Sequence, residues 1–283
     1  MTKSVQIVTD STADIPAELA ERHEIVVVPL KVIFSDEEFY RDGIDLAPEQ
    51  FFARLAELPA STSQPSPAEF LDVYRPLAEE GREIISIHIS AALSGTVHSA
   101  QAARALLPDA SIDVIDSKLT SIPLGMATLA TARAAQAGLD RSEILALLNS
   151  ILESTGIYFM VDTLEYLQRG GRIGRAQGLL GTLLNIKPLL TLKDGQVTPF
   201  DKVRGRAKGL ERLAGVLEEA VRQGPVKYGV THGNTPELFA QLGEKLAARA
   251  GSGPDLSCRV GGVIGAHVGP SVIGFSFHRD VGW

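Results

Sequence analysis

The chain has 283 residues, of which 45% are hydrophobic and 22% are charged, a composition typical of a globular protein with one large or two smaller domains. Its net charge of −7 argues against a general nucleic-acid-binding surface, which needs excess lysine and arginine. Cys258 is the single cysteine, which excludes an intrachain disulfide and a cysteine-rich zinc site. The first apolar run breaks at Asp10 and no run of about 18 apolar residues occurs, so we expect a cytoplasmic protein without a signal peptide or transmembrane segment.

The first half of the sequence predicts alternating strands and helices. Asp14 is expected to cap a helix that has Pro16 in its first turn, and Ser66 to Glu69 form a capping box. Residues 34–45 are acidic and aromatic, which predicts a loop or a small hairpin. Strands are predicted at residues 4–9, 24–33, 83–89 and 111–115, and helices at 67–80, 96–107, 123–137 and 142–153.

Hydroxyl or acidic residues follow several of these strands. Asp10-Ser11 and Asp116-Ser117 are examples, and their plainer interpretation is turn chemistry at a strand end. Ligands of open parallel sheets bind at the carboxyl ends of the strands. The pattern therefore favours a site at one edge of an α/β sheet, with these residues either lining it or only shaping the turns.

The second half predicts a different, α+β arrangement. The turn at Asp194-Gly195 separates two strand-like segments and indicates a hairpin. Residues 261–270 are expected to form a glycine-dense turn, followed by an alternating strand at 272–277. Further elements are a strand at 227–231 and helices at 207–222 and 236–250, the latter with Thr235 as its N-cap. We therefore predict an N-terminal α/β domain over residues 1–157 and a C-terminal α+β domain over 158–283.

The usual nucleotide and hydrolase signatures are missing. The sequence has no Gly-x-x-x-x-Gly-Lys-Ser/Thr segment, no Gly-x-Gly-x-x-Gly after a strand and no Gly-x-Ser-x-Gly elbow. A His-Glu-x-x-His zinc motif is also absent, and we predict no metal and no cofactor. Neither a kinase, an esterase nor a metalloenzyme has a positive signal.

Two hydroxyl-rich segments precede helices, at residues 62–66 (Thr-Ser-Gln-Pro-Ser) and 93–96 (Leu-Ser-Gly-Thr). Each is as well explained by a capped loop as by a binding site. As a site, each would offer unpaired helix N–H groups and hydroxyl donors to an anion. Together they are able to converge on one carboxylate.

Three further segments have both a structural and a functional interpretation. Residues 170–175 (Gly-Gly-Arg-Ile-Gly-Arg) are either a solvated turn or a surface for a partner or phosphate. His267 lies among glycines that allow close approach of a ligand, although a lone histidine is more often structural. Leu179, Leu180, Leu183, Leu184 and residues 186–190 are either plain core or the wall of an acyl tunnel.

Six segments, taken together and in order, resemble the DegV family. Each is weak alone, but the ordered set spans nearly the whole chain, and Ser271 replaces the family's usual glycine after Gly-Pro. The segments are residues 8–14 (VTDSTAD), 62–66 (TSQPS), 93–96 (LSGT), 166–174 (YLQRGGRIG), 186–190 (IKPLL) and 264–270 (IGAHVGP).

The resemblance implies a two-domain α/β fold, with an N-terminal Rossmann-like parallel sheet and a C-terminal α+β domain, holding a long-chain fatty acid between them. It also implies a non-enzymatic lipid carrier that presents the carboxylate to a separate ATP-dependent fatty acid kinase subunit, which forms acyl phosphate for phospholipid synthesis. By position it assigns carboxylate binding to Thr62, Ser63, Ser94, Gly95 and His267. It assigns a partner surface to Arg172, Arg175 and Arg204.

Two alternatives stay open at this point. The protein is an acyl hydrolase if Ser94 has a base within reach. It is a lipid store or sensor if it has no kinase partner.

Overall fold

The computed structural model describes residues 4–181 and 186–283, which form three sheets surrounded by helices. The described strands are β1 (Val5–Asp10), β2 (Val26–Val28), β3 (Lys31–Ser35), β4 (Glu38–Arg41), β5 (Ser61–Ser63), β6 (Glu83–His88), β7 (Ile112–Asp116), β8 (Gly156–Met160), β9 (Ile186–Lys193), β10 (Gln196–Arg204), β11 (Val226–His232), β12 (Leu256–Arg259) and β13 (Ile273–Arg279). The described helices are α1 (Ala17–Arg22), α2 (Pro48–Leu55), α3 (Pro67–Glu79), α4 (Thr96–Ala105), α5 (Ile122–Gln136), α6 (Arg141–Ser154), α7 (Glu165–Arg169), α8 (Arg206–Arg222), α9 (Pro236–Ala250) and α10 (Gly262–Val268). Two short 3₁₀ helices cover Ser11–Ala13 and Gly174–Leu179.

The first half contains the predicted parallel sheet. Its strand order is β2-β1-β6-β7, and every neighbouring pair is parallel. The two central strands are almost fully buried because helices cover both faces of the sheet. The strands end at Asp10, Val28, His88 and Asp116, so the predicted hydroxyl and acidic segments emerge together at one edge.

The second half contains a mixed six-stranded sheet in the order β10-β9-β8-β13-β11-β12. The predicted hairpin is confirmed, because Lys193 pairs with Gln196 across the Asp194-Gly195 turn. The predicted alternation in the last strand was wrong. β13 lies in the interior of the sheet between β8 and β11, with α6 and α8 packed against it, so four successive residues, Ile273 to Ser276, are buried.

Helix α5 packs against both large sheets. It contacts β1 and β6 of the parallel sheet and β11, β12 and β13 of the mixed sheet. A helix covered on both sides is apolar around most of its circumference, and α5 buries residues on every turn. The predicted division at residues 157/158 falls inside β8, and the two-domain boundary remains a prediction.

Two local expectations in the first half were wrong. Residues 24–33 form two strands, β2 and β3, which belong to different sheets, and Pro29 between them lacks the N–H that a continuous strand would use. Strand β3 joins β4 and β5 in a three-stranded antiparallel sheet that includes the predicted hairpin excursion. Asp14 does not cap α1, because its carboxylate is buried and bonded to distant residues.

The glycine-dense segment at 261–270 was also predicted wrongly. It forms helix α10 rather than a turn. Asp42, more than 200 positions away, caps this helix, since its Oδ1 accepts hydrogen bonds from the N–H groups of Gly262 at 2.8 Å and Val263 at 3.4 Å. Within residues 4–181 and 186–283, no helix combines the length and the apolar character needed to cross a membrane.

Candidate functional site

A cavity of about 310 Å³ lies between the edge of the parallel sheet, β5, α10 and the mixed sheet. Its volume is at the lower end of the range for small-molecule sites. Most of its wall is apolar, and hydroxyl and charged groups are confined to a few positions. The apolar lining consists of Leu30, Ile89, Leu93, Ile157, Phe159, Leu167, Leu192, Val197, Val260, Val263, Ile264, Val268 and Val272.

One region of the wall, here called the polar end, contains Thr62, Ser63, Gln64, Ser94, Arg172 and His267. Thr62 and Ser63 lie on β5, and Ser94 lies in the loop before α4. The sequence therefore predicted four of its members as carboxylate ligands, and the fold brings them to the same cavity. Gln64 was not singled out within its motif, although it joins the two segments.

Gln64 packs directly on Gly95. A Cβ atom at Gly95 would lie 2.3 Å from Gln64 Oε1, so a side chain at position 95 would have to displace the Gln64 amide. Gln64 Nε2 also donates to Ser99 Oγ at 3.2 Å, which ties β5 to helix α4. Gly95 is not among the residues that line the cavity, and its binding of a carboxylate stays a prediction; its contact with Gln64 brings the two hydroxyl-bearing segments together.

His267 lies in the last turn of α10 and is largely buried. Its Nε2 is 2.8 Å from Thr62 Oγ1, whereas its Nδ1 has no partner among the described residues. Burial, together with the nearby Arg172 charge, lowers the pKa of His267 to about 4. The imidazole is therefore neutral at pH 7.

The three predicted partner arginines occupy different surroundings. Arg172 lies on the cavity wall, where Nε donates to Leu93 O at 3.0 Å and Nη1 to Gly170 O at 2.7 Å. Arg175 is exposed and pairs with Asp194 at 3.4 Å. Arg204 is exposed at the end of β10, about 24 Å along the strand from Val197, against which Gly174 packs. The structure does not bring Arg204 beside Arg175.

The predicted leucine wall is only partly at the cavity. Leu192 lines it, and Leu179 and Leu190 belong to the hydrophobic cluster around it. Leu189 packs instead in the core beneath α8, and Leu180 is exposed. Leu183 and Leu184 lie outside the described residues.

A second polar region of the wall, which the sequence did not indicate, contains Thr120, Ser121 and Thr231. Ser121 donates to Asp14 Oδ2 at 2.5 Å, and the N–H of Gly261 donates to Asp14 Oδ1 at 2.8 Å. Gly261 precedes α10 and His267 lies in its last turn, so this region lies at the other end of that helix from Thr62.

Asp14 and Asp42 are buried carboxyl groups beside this second region. Burial raises the pKa of Asp14 to about 8 and that of Asp42 to about 6. Their backbone hydrogen bonds hold the segment that begins α10. In the described part of the chain, no group of three or more histidine, cysteine or acidic side chains is placed to hold a metal ion.

The strand-end acids shape loops instead of lining the cavity. Asp10 accepts hydrogen bonds from Thr12 N and Ile89 N, and its Oδ2 lies 3.0 Å from His88 Nδ1. Asp116 accepts from Ala91 N at 3.1 Å. These hydrogen bonds position the loop that carries Ser94. Asp10 and Asp116 therefore shape turns at the strand ends, which is the plainer of the two interpretations given above.

Among the residues that the structure describes, Ser94 has no hydrogen bond to a general base. Ser94 Oγ is 2.9 Å from the hydroxyl of Thr96 rather than from a base. A chain of Ser86, His88 and Asp10 does exist, with Ser86 Oγ 2.6 Å from His88 Nε2, but all three side chains are buried. A nucleophile without access to the cavity does not reach an ester.

Comparison with known proteins agrees with this architecture. The family model described as "Uncharacterised protein, DegV family" matches residues 4–280. The chain belongs to the DegV family. Protein DegV of Bacillus subtilis is 36% identical over 276 residues, covering 96% of this chain and 98% of that protein.

Two solved structures, one of them of a DegV family protein, have the same fold. A fatty-acid-binding DegV family protein from Thermus thermophilus superposes with a TM-score of 0.91 at 36% identity, covering 98% of this chain and 100% of that one. A stearic-acid-binding protein from Eubacterium ventriosum gives a TM-score of 0.91 at 30% identity, covering 99% and 98%. The expected two-part α/β fold, with a parallel sheet and a second mixed sheet, is confirmed.

Proposed function

We propose that this DegV-family protein binds one long-chain fatty acid in the cavity, with the carboxylate at the polar end. The observation that carries the proposal is a cavity wall that combines a long apolar lining with hydroxyl donors at Thr62 and Ser94, of which Thr62 is bonded to the neutral His267. The binding of fatty acids by the Thermus and Eubacterium proteins supports it.

The energetics favour an almost enclosed tail. A sixteen-carbon acid buries about 15 carbons, which corresponds to roughly 12 kcal/mol at about 0.8 kcal/mol per CH₂. Association and ordering oppose binding by about 4 to 15 kcal/mol. Each hydroxyl bond to the charged carboxylate adds about 1.5 to 3 kcal/mol. The tail thus supplies affinity, and the polar end supplies orientation.

The neutral imidazole defines how Thr62 acts. A buried N–H without an acceptor is rarer in proteins than an unpaired acceptor, so the proton belongs on Nε2, which then donates to Thr62 Oγ1. The hydroxyl proton of Thr62 remains free to point at the fatty acid carboxylate. Because His267 carries no charge at pH 7, it forms no ion pair with the carboxylate, and Arg172 is the charged member of the polar end.

The finer part of the proposal is presentation of this carboxylate to a separate ATP-dependent kinase, which would convert it to acyl phosphate. The absence of a phosphate-binding loop motif from the sequence supports a phosphoryl donor bound elsewhere. A protein that stores or senses lipid without a kinase is the competing function. Acyl-phosphate formation with purified cognate kinase and ATP separates the two.

Organic extraction of the purified protein, followed by mass spectrometry, should release a fatty acid of about fourteen to eighteen carbons. The expected stoichiometry is one molecule per chain, because one cavity supplies the tail site. An empty protein that also fails to take up added palmitate or oleate would contradict the proposal. Turnover of an ester by the purified protein would instead support the hydrolase.

Charge reversal at Arg175 or Arg204 should lower acyl-phosphate formation without changing lipid content, if these exposed arginines face the kinase. Rim charges steer association and fix register, so the effect should appear in the kinase concentration needed. Arg222→Glu is a suitable control, because that exposed arginine lies at the far end of α8, about 24 Å from Arg206.

The two arginines are best tested singly, since the length of β10 separates them. A loss with Arg175→Glu alone would place the partner near the β9–β10 turn, and a loss with Arg204→Glu alone would place it at the other end. Normal turnover in both variants would remove the partner surface from this region. Loss of bound lipid would instead make either arginine part of the site.

A further inference from the structure

Arg172 joins two segments that come from opposite halves of the chain. Its Nε donates to the carbonyl of Leu93, and its Nη1 donates to the carbonyl of Gly170. Leu93 directly precedes Ser94. Both segments therefore meet on one guanidinium group at the cavity wall.

Gly170 supports the ring of His267. A Cβ atom at Gly170 would lie 2.1 Å from His267 Nδ1, which means that the imidazole rests directly on the backbone there. The opposite nitrogen of the ring is fixed by Thr62 at 2.8 Å. The His267 ring is consequently held between Thr62 and Gly170, and Arg172 holds the carbonyl of Gly170.

Several charged groups on the elements that pack against α10 have partners of their own, and on β3, Lys31 pairs with Glu69 at 3.0 Å. On α7, the Arg169 guanidinium lies 5.0 Å from the centre of the Tyr166 ring, and on α2, Arg54 pairs with Glu38. Glu49, also on α2, pairs with Arg259. Asp14 and Asp42 act at the first turn of α10, at the opposite end from His267.

Burial is the main cause of the low pKa of His267, about 4, and the nearby charge of Arg172 lowers it further. A guanidinium suits this position because its planar fork donates in two fixed directions while the charge remains. A lysine would keep the charge but present a single point donor.

We infer that Arg172 is a positioning residue of the polar end, which fixes the Ser94 loop and the His267 ring relative to each other. This inference rests on the proposed function, because it assigns Arg172 to the binding of the carboxylate. It goes beyond that function in giving Arg172 an internal role, distinct from contact with a partner.

The test is an NMR titration of His267 in delipidated protein, together with fatty acid affinity, for Arg172→Gln and Arg172→Lys. Arg175→Gln is the matched control, since Arg175 lies three residues away but pairs with Asp194 at the surface. In Arg172→Gln the His267 titration should move upward by about half a pH unit or more, and palmitate should bind about 10-fold more weakly.

In Arg172→Lys the pKa of His267 should remain near the wild-type value, because the positive charge is kept. The affinity for palmitate should still fall, because lysine cannot make both hydrogen bonds to the carbonyls of Leu93 and Gly170. An unchanged titration in Arg172→Gln would overturn the inference. If Arg172→Gln does not fold, Arg172→Lys decides: an affinity no lower than that of Arg175→Gln overturns it. If wild type binds no fatty acid, the proposed function fails. The difference in His267 pKa between wild type and Arg172→Gln then still tests whether Arg172 acts on the imidazole.

Discussion

Thr62→Val and Ser94→Ala should each weaken fatty acid binding roughly 5- to 150-fold, the equivalent of about 1 to 3 kcal/mol for one donor lost from a buried carboxylate. The thermal midpoint should fall by only several degrees. Thr62→Val leaves His267 Nε2 without its partner, whereas Ser94→Ala removes a contact only to Thr96. Binding of palmitate and thermal unfolding should be measured on the same delipidated samples.

Ser61→Ala is the matched control, because Ser61 lies on the same strand as Thr62 but is exposed. It should bind palmitate as wild type does. If Thr62→Val and Ser94→Ala both melt far below wild type, these hydroxyls are structural and the assignment of the polar end fails. If both bind normally, the carboxylate lies elsewhere in the cavity.

Much of the fold was predictable because its first half obeys local rules. The capping box at Ser66 and Glu69 forms as expected, with Ser66 N donating to Glu69 Oε2 at 2.8 Å, and the helix follows directly. Buried β-branched runs predicted the strands of the parallel sheet. The regular alternation of strand and helix then placed the carboxyl ends of the strands at one edge.

The errors concern residues whose partners are distant in sequence. Helix α10 depends on Asp42 as its cap, and no residue next to Gly262 indicates a helix start. Asp14 has the sequence context of an N-cap, but it bonds instead to Ser121 and Gly261, more than 100 and 200 positions away. Local patterns do not contain such information, so tertiary contacts decide these positions.

The residues of the candidate site also differ in whether a local sequence pattern predicts them. Thr62, Ser94 and His267 belong to motifs that the family resemblance identifies, and they line one cavity. Gln64 lies within the motif at residues 62–66, but no sequence pattern marked it, because its contact with Gly95 exists only in the folded chain. Thr120 and Thr231 had no sequence signal, because a single threonine at a strand or helix end is common.

The free energy of unfolding of wild type should decrease between about pH 6.5 and 8, and this decrease should be absent in Asp14→Asn. The folded pKa of Asp14 is about 8, far above the ordinary value of 3.8, so the folded protein retains a proton that the unfolded chain releases. Stability therefore decreases as pH rises through this range, by at most about 1.4 kcal/mol per pH unit for one proton.

A change in stability between pH 6.5 and 8 reports on Asp14, because Asp42, His267 and His232 titrate at lower pH. Asp42, with a folded pKa of about 6, gives the same sign between about pH 4 and 6. His267 and His232 have folded pKa values of about 4, below the ordinary 6.5, so their contributions increase with pH from about 4 to 6.5 and oppose the two acids there. Above pH 6.5 the contributions of these three groups no longer change with pH, and Asp14 accounts for the remaining pH dependence of stability.

Asparagine resembles the protonated acid in being uncharged, and its Oδ1 can accept from the N–H of Gly261. The free energy of unfolding of Asp14→Asn should thus be nearly constant between pH 6.5 and 8, while that of wild type falls by about 2 kcal/mol. Denaturant unfolding at several pH values measures both, with Asp36→Asn, an exposed position in the β3–β4 turn, as the control that keeps the wild-type slope. An equal slope in Asp14→Asn would mean that Asp14 is already ionised in the folded protein, and that its bonds to Ser121 and Gly261 stabilise a buried carboxylate at the start of α10.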